Sequence, residues 1–233
     1  MRKLKVVAVV NTKGGVGKTM LTRSLALAAT RPDNKQGNKR KSPLVAMIDL
    51  DPQKGLEGWW DLRGGGTSEL GKNEVSVRNP DLMRGGSLEA AIEHLECRHY
   101  DWLFVDTPPA FIPEVEEVAG RADFIVIPTR PDIENVKASR DAIVIARRAI
   151  KDRYLVVINS APVRGSQESA TRAALMSAQL PVAEQTLWQH ASHSRAADQG
   201  KTAAEIDAEA AREIDTLWNE IRRRVTATRP VRG

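Results

Sequence analysis

Two lysines flank a glycine-rich stretch near the start of the chain. Residues 13–19 read Lys-Gly-Gly-Val-Gly-Lys-Thr and follow an apolar run at residues 6–10. Glycines allow backbone N–H groups to curl around phosphate oxygens, and the N-terminus of a following helix adds its positive end. The segment therefore predicts a phosphate-binding loop. Its backbone would be formed by Gly14, Gly15, Val16 and Gly17.

The side chains at the end of this loop have defined uses in nucleotide chemistry. Lys18 can reach the β- and γ-phosphates, and the Thr19 hydroxyl can ligate Mg²⁺. The ordinary pattern G-x-x-x-x-G-K-[ST] would place its first glycine at Thr12, so the fit is imperfect. That pattern also does not account for the additional lysine, Lys13.

Four polar residues end apolar runs further along the chain. Asp49 and Asp51 end one run, and Asp106 ends the next. Alternate strand residues share a face, and ligands of open α/β sheets bind at the carboxyl ends of the strands. A lone aspartate at such an end can equally cap a helix or form a turn. Asn159, at the end of a later run, is explained equally well as a turn residue.

The elements that must position these residues follow an alternating pattern. Continuous apolar runs predict buried parallel strands at residues 4–10, 43–51, 100–109, 123–129 and 153–160. Helical periodicity predicts helices at residues 18–30, 53–63, 87–98, 133–150, 166–179 and 203–225. The alternation predicts an α/β fold with a doubly wound, mostly parallel sheet flanked by helices, in a single domain over residues 1–233.

The composition excludes several other classes of protein. The chain has 233 residues, of which 41% are hydrophobic and 28% charged, as in globular proteins. Its single cysteine, Cys97, cannot form an internal disulfide or a cysteine metal cluster. No apolar stretch approaches the roughly 20 residues of a membrane span. The net charge of +5 permits a polyanionic partner without requiring one.

Taken together, the segments resemble the deviant Walker A motif of the ParA/MinD family of ATPases, most closely the compact plasmid-partition ParA proteins. The resemblance implies a P-loop NTPase fold of the deviant Walker A type, with ATP and Mg²⁺ as cofactors. Lys13 matches the signature lysine of that family, which reaches across a dimer interface to the nucleotide of the partner subunit. It would then neutralise charge as an arginine finger does in other NTPases, whereas the alternative is a lysine pointing into solvent.

The resemblance also assigns roles to the other site residues. The segment "DLDPQ" is similar to the family's Walker A′ segment, so Asp51 would orient the attacking water and Asp49 would support the metal shell or the loop. Asp106 matches the Walker B aspartate that holds Mg²⁺ through water. Asn159 resembles the asparagine that hydrogen-bonds adenine. Met20 departs from the family, whose hydroxyl residue at that place contacts the α-phosphate, and this predicts somewhat weaker nucleotide binding.

The function implied by the resemblance is plasmid or chromosome partition. An ATP-dependent homodimer would bind DNA non-specifically, and a cargo-bound, ParB-like adaptor would stimulate slow hydrolysis. The location implied is cytoplasmic and nucleoid-associated, with no membrane partner. Only twelve residues precede Lys13, so we expect no fused N-terminal DNA-binding domain.

Basic residues that could contact DNA occur in three places. In partition ATPases the basic residues lie near the segment matched here by residues 189–201. The candidates are Arg195 and Lys201 in that segment, Arg222, Arg223 and Arg224 near the end of the chain, and Lys35, Lys39, Arg40 and Lys41. Such clusters are also explained as solvated faces.

Four other functions compete with partition. One is a small-molecule ligase or kinase on the same fold, which Lys13 argues against because that lysine implies a nucleotide sandwich dimer. A MinD-like positioning ATPase would need a C-terminal amphipathic helix that inserts into a bilayer, and residues 203–225 carry an apolar stripe. A reductase of the nitrogenase iron-protein type needs two cysteines per subunit for its cluster, and this chain has one. An accessory ATPase for DNA transfer, or one that positions protein assemblies, differs only in its cargo adaptor.

Overall fold

The central feature of the computed structural model is a six-stranded sheet. The structure describes residues 3–32, 42–64, 79–85, 87–110 and 112–227. The strands are β1 (Lys5–Val9), β2 (Val45–Asp49), β3 (Asp81–Met83), β4 (Trp102–Asp106), β5 (Phe124–Thr129) and β6 (Tyr154–Ile158). Their order in the sheet is β3-β2-β4-β1-β5-β6. Each neighbouring pair is parallel.

Eight α-helices connect and cover the strands in the described part of the chain. They are α1 (Lys18–Ala29), α2 (Gly55–Leu62), α3 (Leu88–Cys97), α4 (Pro113–Arg121), α5 (Ile133–Ile150), α6 (Gln167–Ser177), α7 (Ser192–Ala197) and α8 (Ala208–Ala227). A short 3₁₀ helix, Ala203–Glu205, precedes α8.

The alternation of apolar residues along each strand divides the core into two layers. In β1, Val6 and Ala8 face the layer that contains α3, α4, α5 and α6. Val7 and Val9 face the opposite layer, which contains α1, α2 and α8. Because successive strand residues point to opposite faces, a run that is apolar throughout is buried on both sides. The prediction of a doubly wound parallel α/β fold is confirmed.

Three elements were missed by the sequence analysis. Strand β3 has only three residues, too few to show an alternating pattern. Helix α4 begins with a proline and contains Gly120, a poor helix former. Helix α7 has six residues, fewer than two turns, so it shows little periodicity.

The predicted helix at residues 203–225 was wrong at its start. Asp207 accepts hydrogen bonds from the backbone N–H groups of Glu209 (3.0 Å) and Ala210 (3.3 Å), so α8 begins after Asp207. Ile206 lies within the predicted range but outside α8, and it is exposed.

The apolar stripe of α8 is part of the core. The Trp218 ring packs edge-on against Trp102, with centroids 4.8 Å apart, and also contacts Phe104 at 5.6 Å. Ile214, Leu217, Ile221 and Val225 are buried in the same layer. The stripe therefore covers the sheet and is not available to insert into a bilayer. In the described ranges, no helix is both long enough and apolar enough to cross a membrane.

Candidate nucleotide-binding site

The phosphate loop joins the carboxyl end of β1 to α1, at the centre of the sheet. Its last glycine, Gly17, has φ 93° and precedes α1 without a capping side chain. A Cβ atom at Gly17 would lie 2.2 Å from Nδ2 of Asn159. Glycine is required there both because of the left-handed backbone and because of this close approach. The first N–H groups of α1 are thus left for a ligand.

Two buried asparagines hold the loop in place. Asn11 donates to the Pro128 carbonyl at 2.7 Å and to the Ser139 hydroxyl at 3.0 Å, while its Oδ1 accepts from the N–H of Lys13 at 2.9 Å. Asn159 donates to the Val16 carbonyl at 2.7 Å. The loop is therefore fixed to the ends of β5 and β6. Sequence analysis missed Asn11, although a polar residue directly after a buried strand was the available signal.

Lys18 is the most buried cation of the loop. The residue is 7% exposed, and its Nζ donates to the Lys13 carbonyl at 3.2 Å. Burial lowers the pKa of Lys18, and the negative charges of Asp106 and Asp51 oppose that change. A buried ammonium group is costly unless it is paired with an anion, so the position is suited to a bound phosphate.

Asp106 lies at the end of β4 beside the first turn of α1. Its carboxylate accepts a hydrogen bond from the Thr19 hydroxyl at 2.6 Å, and the Thr22 hydroxyl lies 3.5 Å from its other oxygen. Asp106 is fully buried, and burial raises its pKa to about 7. A hydroxyl and a carboxylate oxygen are donors that Mg²⁺ prefers, so the residues present fit this ion. Thr22, one turn after Thr19, was missed by the sequence analysis.

Asp49 and Asp51 share one loop but have different surroundings. The strand register places Asp49 opposite Asp106. The Asp49 carboxylate accepts from the backbone N–H groups of Asp51 (3.0 Å), Leu56 (2.9 Å) and Glu57 (3.1 Å). Burial raises the pKa of Asp49, and these three hydrogen bonds oppose the change. Of the two roles predicted for Asp49, this geometry favours support of the loop, because backbone donors already occupy its oxygens.

Asp51 is more exposed to solvent than Asp49. Asp51 is partly buried in the connection between β2 and α2, and its Oδ1 accepts from the backbone N–H of Gln53 at 2.9 Å. Its charge raises the pKa of Lys18. The carboxylate therefore faces the same region as the lysine of the phosphate loop.

Comparison with known proteins agrees with this geometry. A family model described as the CobQ/CobB/MinD/ParA nucleotide binding domain matches residues 7–204. The chain belongs to the MinD/ParA family. One relative is the maintenance of carboxysome distribution protein A of Gloeobacter kilaueensis, which is 30% identical over 229 residues, covering 93% of this chain and 96% of the relative. The chromosome-partitioning ATPase Soj of Thermus thermophilus is 26% identical over 149 residues, covering 56% of each.

A solved structure of MinD from Aquifex aeolicus has the same fold. It superposes with a TM-score of 0.67 at 19% identity, covering 98% of this chain and 100% of that one. The family assignment and the phosphate loop identify this MinD/ParA protein as an ATPase that uses ATP with Mg²⁺. The predicted family, enzyme class and cofactors are confirmed.

Lys13, the signature lysine of this MinD/ParA ATPase, directly precedes the glycines of the phosphate loop. Lys13 is partly buried, and its positive charge is among the groups that lower the pKa of Asp132, after the hydrogen bonds from Asn135. Its contact with the nucleotide of a second subunit stays a prediction.

Asn159 and Met20 have contacts that the sequence did not predict. Asn159 is 1% exposed, and its Nδ2 bonds to the loop as described above. The positive φ of the turn falls on Ser160 (φ 53°), so the turn role belongs to the next residue. The Met20 sulfur accepts a weak hydrogen bond from Ser24 at 3.7 Å. The adenine contact of Asn159 stays a prediction.

The candidate DNA-binding residues are mostly exposed, unlike the buried charges of the nucleotide site. Arg195 in α7 and Lys201 after it are exposed. In α8, Arg224 donates twice to Glu220, at 2.8 and 3.0 Å, and Arg222 donates to Asn219 at 3.2 Å. Arg223 is exposed. Lys35, Lys39, Arg40 and Lys41 lie outside the described residues.

Proposed function

We propose that this ATPase is a positioning ATPase of the ParA type. Its ATP-bound form is a homodimer that binds DNA without sequence preference, and a cargo-bound adaptor stimulates hydrolysis and release. The observation that carries the proposal is the pair of buried charges, Lys18 and Asp106, which contact Lys13 and Thr19 of the phosphate loop. The chain that holds this site matches a positioning protein over most of its length.

The residues of the site divide the work of hydrolysis. Lys18 and the N-terminus of α1 bind the β- and γ-phosphates. Thr19 and Asp106 would hold Mg²⁺, which supplies neutralisation of the phosphate charge when bound. Asp51 orients the attacking water. Lys13 of one subunit would contribute a positive charge to the nucleotide of the other subunit.

The cargo has two candidates. The relative that matches nearly the whole chain is named for carboxysome distribution, which favours a protein assembly as cargo. The match to Soj, which is named for chromosome partitioning, supports a DNA element as the second candidate. In either case we propose a nucleoid-associated protein with a separate adaptor. The burial of the α8 stripe removes the observation that had supported membrane targeting.

Binding to a random-sequence DNA duplex tests this function. The affinity would be measured with ATP, with ADP and without nucleotide, across a series of salt concentrations. We expect binding that requires ATP, with log K falling by about 0.9 per phosphate neutralised for each unit of log salt. Failure to bind DNA in every nucleotide state would overturn the DNA part of the proposal and leave the ATPase assignment intact. Binding that is equal with ATP and ADP would overturn the nucleotide-controlled cycle.

A further inference from the structure

Helix α2 begins at the nucleotide site. Two backbone N–H groups of its first turn, those of Leu56 and Glu57, donate to the Asp49 carboxylate. A Cβ atom at Gly55 would lie 3.7 Å from the Thr19 side chain, so the start of α2 packs against the predicted Mg²⁺ ligand. The backbone N–H of Lys54 donates to the Asp51 carbonyl at 2.9 Å. Any displacement of Asp51 toward a bound nucleotide therefore acts directly on the first turn of α2.

The other end of α2 is in contact with the segment that follows α7. Gly200 has φ 63°, and a Cβ atom there would lie 2.4 Å from the backbone nitrogen of Arg63 and 2.6 Å from the carbonyl carbon of Leu62. The Arg63 guanidinium donates to the Gly200 carbonyl at 2.9 Å, and the Trp59 indole donates to the Lys201 carbonyl at 3.0 Å. The backbone of residues 200–201 is thus held against the end of α2.

Arg63 extends this contact to the 3₁₀ helix. Its two terminal nitrogens donate to the two oxygens of Glu205 at 3.0 and 2.8 Å, which is the bidentate geometry of a strong ion pair. Glu205 also accepts from the N–H of Thr202 at 2.7 Å in a capping box. We call Trp59, Arg63, Gly200 and Glu205 the Arg63 cluster. Arg23 adds a second guanidinium over the Trp59 ring, 5.3 Å from its centroid.

The segment held by the Arg63 cluster is continuous with α7. The backbone N–H of Lys201 donates to the Ala196 carbonyl at 2.8 Å, and the Ser192 hydroxyl donates to Asp207 at 2.8 Å. Residues 192–207 therefore form one hydrogen-bonded unit at the end of α2. Its exposed cations are Arg195 and Lys201, the two residues that the sequence had marked for DNA.

We infer that α2 is a rigid connection between the hydrolytic site and this unit. An eight-residue helix is about 12 Å long, and both of its ends are fixed by hydrogen bonds. The binding and hydrolysis of ATP at Asp51 would therefore change the presentation of Arg195 and Lys201, and this would set the affinity for DNA phosphates. The assignment of DNA as the ligand rests on the proposed function, whereas the connection itself is a property of one subunit.

Arg63→Gln in the full-length protein tests the connection, because it removes the ion pair while keeping a polar side chain. Arg31→Gln is the matched control, since Arg31 makes a two-bond ion pair with Asp215 outside the Arg63 cluster. Amide hydrogen exchange would be followed with and without ATP. In the wild type and in Arg31→Gln, we expect ATP to change exchange in α2 and in residues 192–205 together. In Arg63→Gln, we expect the change in α2 to remain and the change in residues 192–205 to be lost.

A second measurement includes DNA. In Arg63→Gln, the ratio of DNA affinities with ATP and with ADP should fall toward one from the tenfold range typical of coupled sites. Basal ATP hydrolysis should remain near the wild-type rate. An unchanged ratio, or an ATP-dependent change in residues 192–205 that survives in Arg63→Gln, would overturn the inference. The exchange measurement does not use DNA, so absence of DNA binding in the wild type would count against the proposed function and not against the connection.

Gly200→Ala provides an independent variant that keeps every charge. The added Cβ would overlap the backbone of Arg63 and Leu62, so residues 192–205 must move away from α2. We expect the same uncoupled exchange pattern as in Arg63→Gln. A Gly200→Ala protein that keeps the joint response to ATP would contradict the role of this contact.

Discussion

Charged side chains at the phosphate loop and charged side chains on α7 and α8 differ in how deeply they are buried. At the loop, Lys18 and Asp106 are both buried, and the charge of Asp106 opposes the effect of burial on the pKa of Lys18. On α7 and α8, Arg195, Arg223 and Arg224 are all exposed, and Arg224 is also paired with Glu220. Burying a charge is costly unless it is paired, whereas a surface charge costs little. Burial therefore implies that Lys18 needs an anionic partner, such as a bound phosphate, whereas exposure alone assigns no role to the arginines of α7 and α8.

Lys18→Ala is expected to have the largest effect on function. Without the buried ammonium group, the β- and γ-phosphates lose their main counter-charge, so ATP-dependent dimerisation should be abolished. Calorimetry would measure ATP binding, and light scattering would measure the dimer. Lys151→Ala, at an exposed position beyond α5, serves as control and should behave as the wild type. A nucleotide-dependent dimer that still forms in Lys18→Ala would contradict the assignment of residues 13–19 as the phosphate-binding loop.

Asp51→Ala should separate binding from hydrolysis. ATP binding and dimerisation should remain, because the phosphate ligands are intact, while hydrolysis should fall by about 10²–10⁴-fold, as when a positioned general base is removed. Release of phosphate would be measured at saturating ATP. Asp198→Ala removes an exposed carboxylate after α7 and should leave the rate unchanged. Turnover at the wild-type rate would show that Asp51 does not orient the water.

Asp106→Asn should change the pH dependence of stability in the nucleotide-free protein. Burial raises the pKa of Asp106 to about 7 in the folded state, well above its ordinary value of 3.8. The folded protein therefore binds this proton more tightly than the unfolded chain, and stability is lost as the pH rises from about 4 to about 7. The amide can still accept from Thr19 but carries no charge.

At pH 8, Asp106→Asn should thus be more stable than the wild type by about 2–4 kcal/mol, and the difference should shrink toward zero near pH 4. Urea unfolding at several pH values, without Mg²⁺ or nucleotide, measures this difference. Asp61→Asn, the same substitution at an exposed position, serves as the control variant. A difference that stays constant with pH would show that Asp106 is already ionised in the folded protein.

The sequence predicted the parts of the fold and site that depend on local pattern. The five long strands and helices α1, α2, α3, α5 and α6 follow from continuous apolar runs and helical spacing, and the glycines with Lys18 and Thr19 follow from a short motif. The contacts that hold the loop could not be predicted in this way. Asn11 reaches Pro128 and Asn159 reaches Val16 across separations of more than 100 residues, so only the packed sheet brings them together.

The sequence also could not decide between the possible roles of Asp49. An aspartate at the end of a strand serves equally well as a metal ligand or as a helix cap, and the decision depends on which N–H groups lie beside it. The Arg63 cluster likewise joins two segments about 140 residues apart, as the Arg63 to Glu205 bond shows. Neither segment carries a recognisable motif.

The smallest expected effect is that of a single arginine on α8. Arg223→Ala should weaken ATP-dependent DNA binding only a few-fold and reduce the salt slope by about 0.9, as for one lost phosphate contact.

Arg224→Ala is the sharper comparison, because Arg224 is bonded to the buried Glu220. Glu220 also accepts from the backbone N–H of Glu184 at 3.0 Å. Loss of Arg224 should lower the stability of the protein more than it lowers the salt slope. Fluorescence anisotropy with a labelled duplex and urea unfolding would be measured for both variants. A salt slope that falls in Arg224→Ala and not in Arg223→Ala would reverse the assignment, and it would show that Arg224, and not Arg223, contacts DNA.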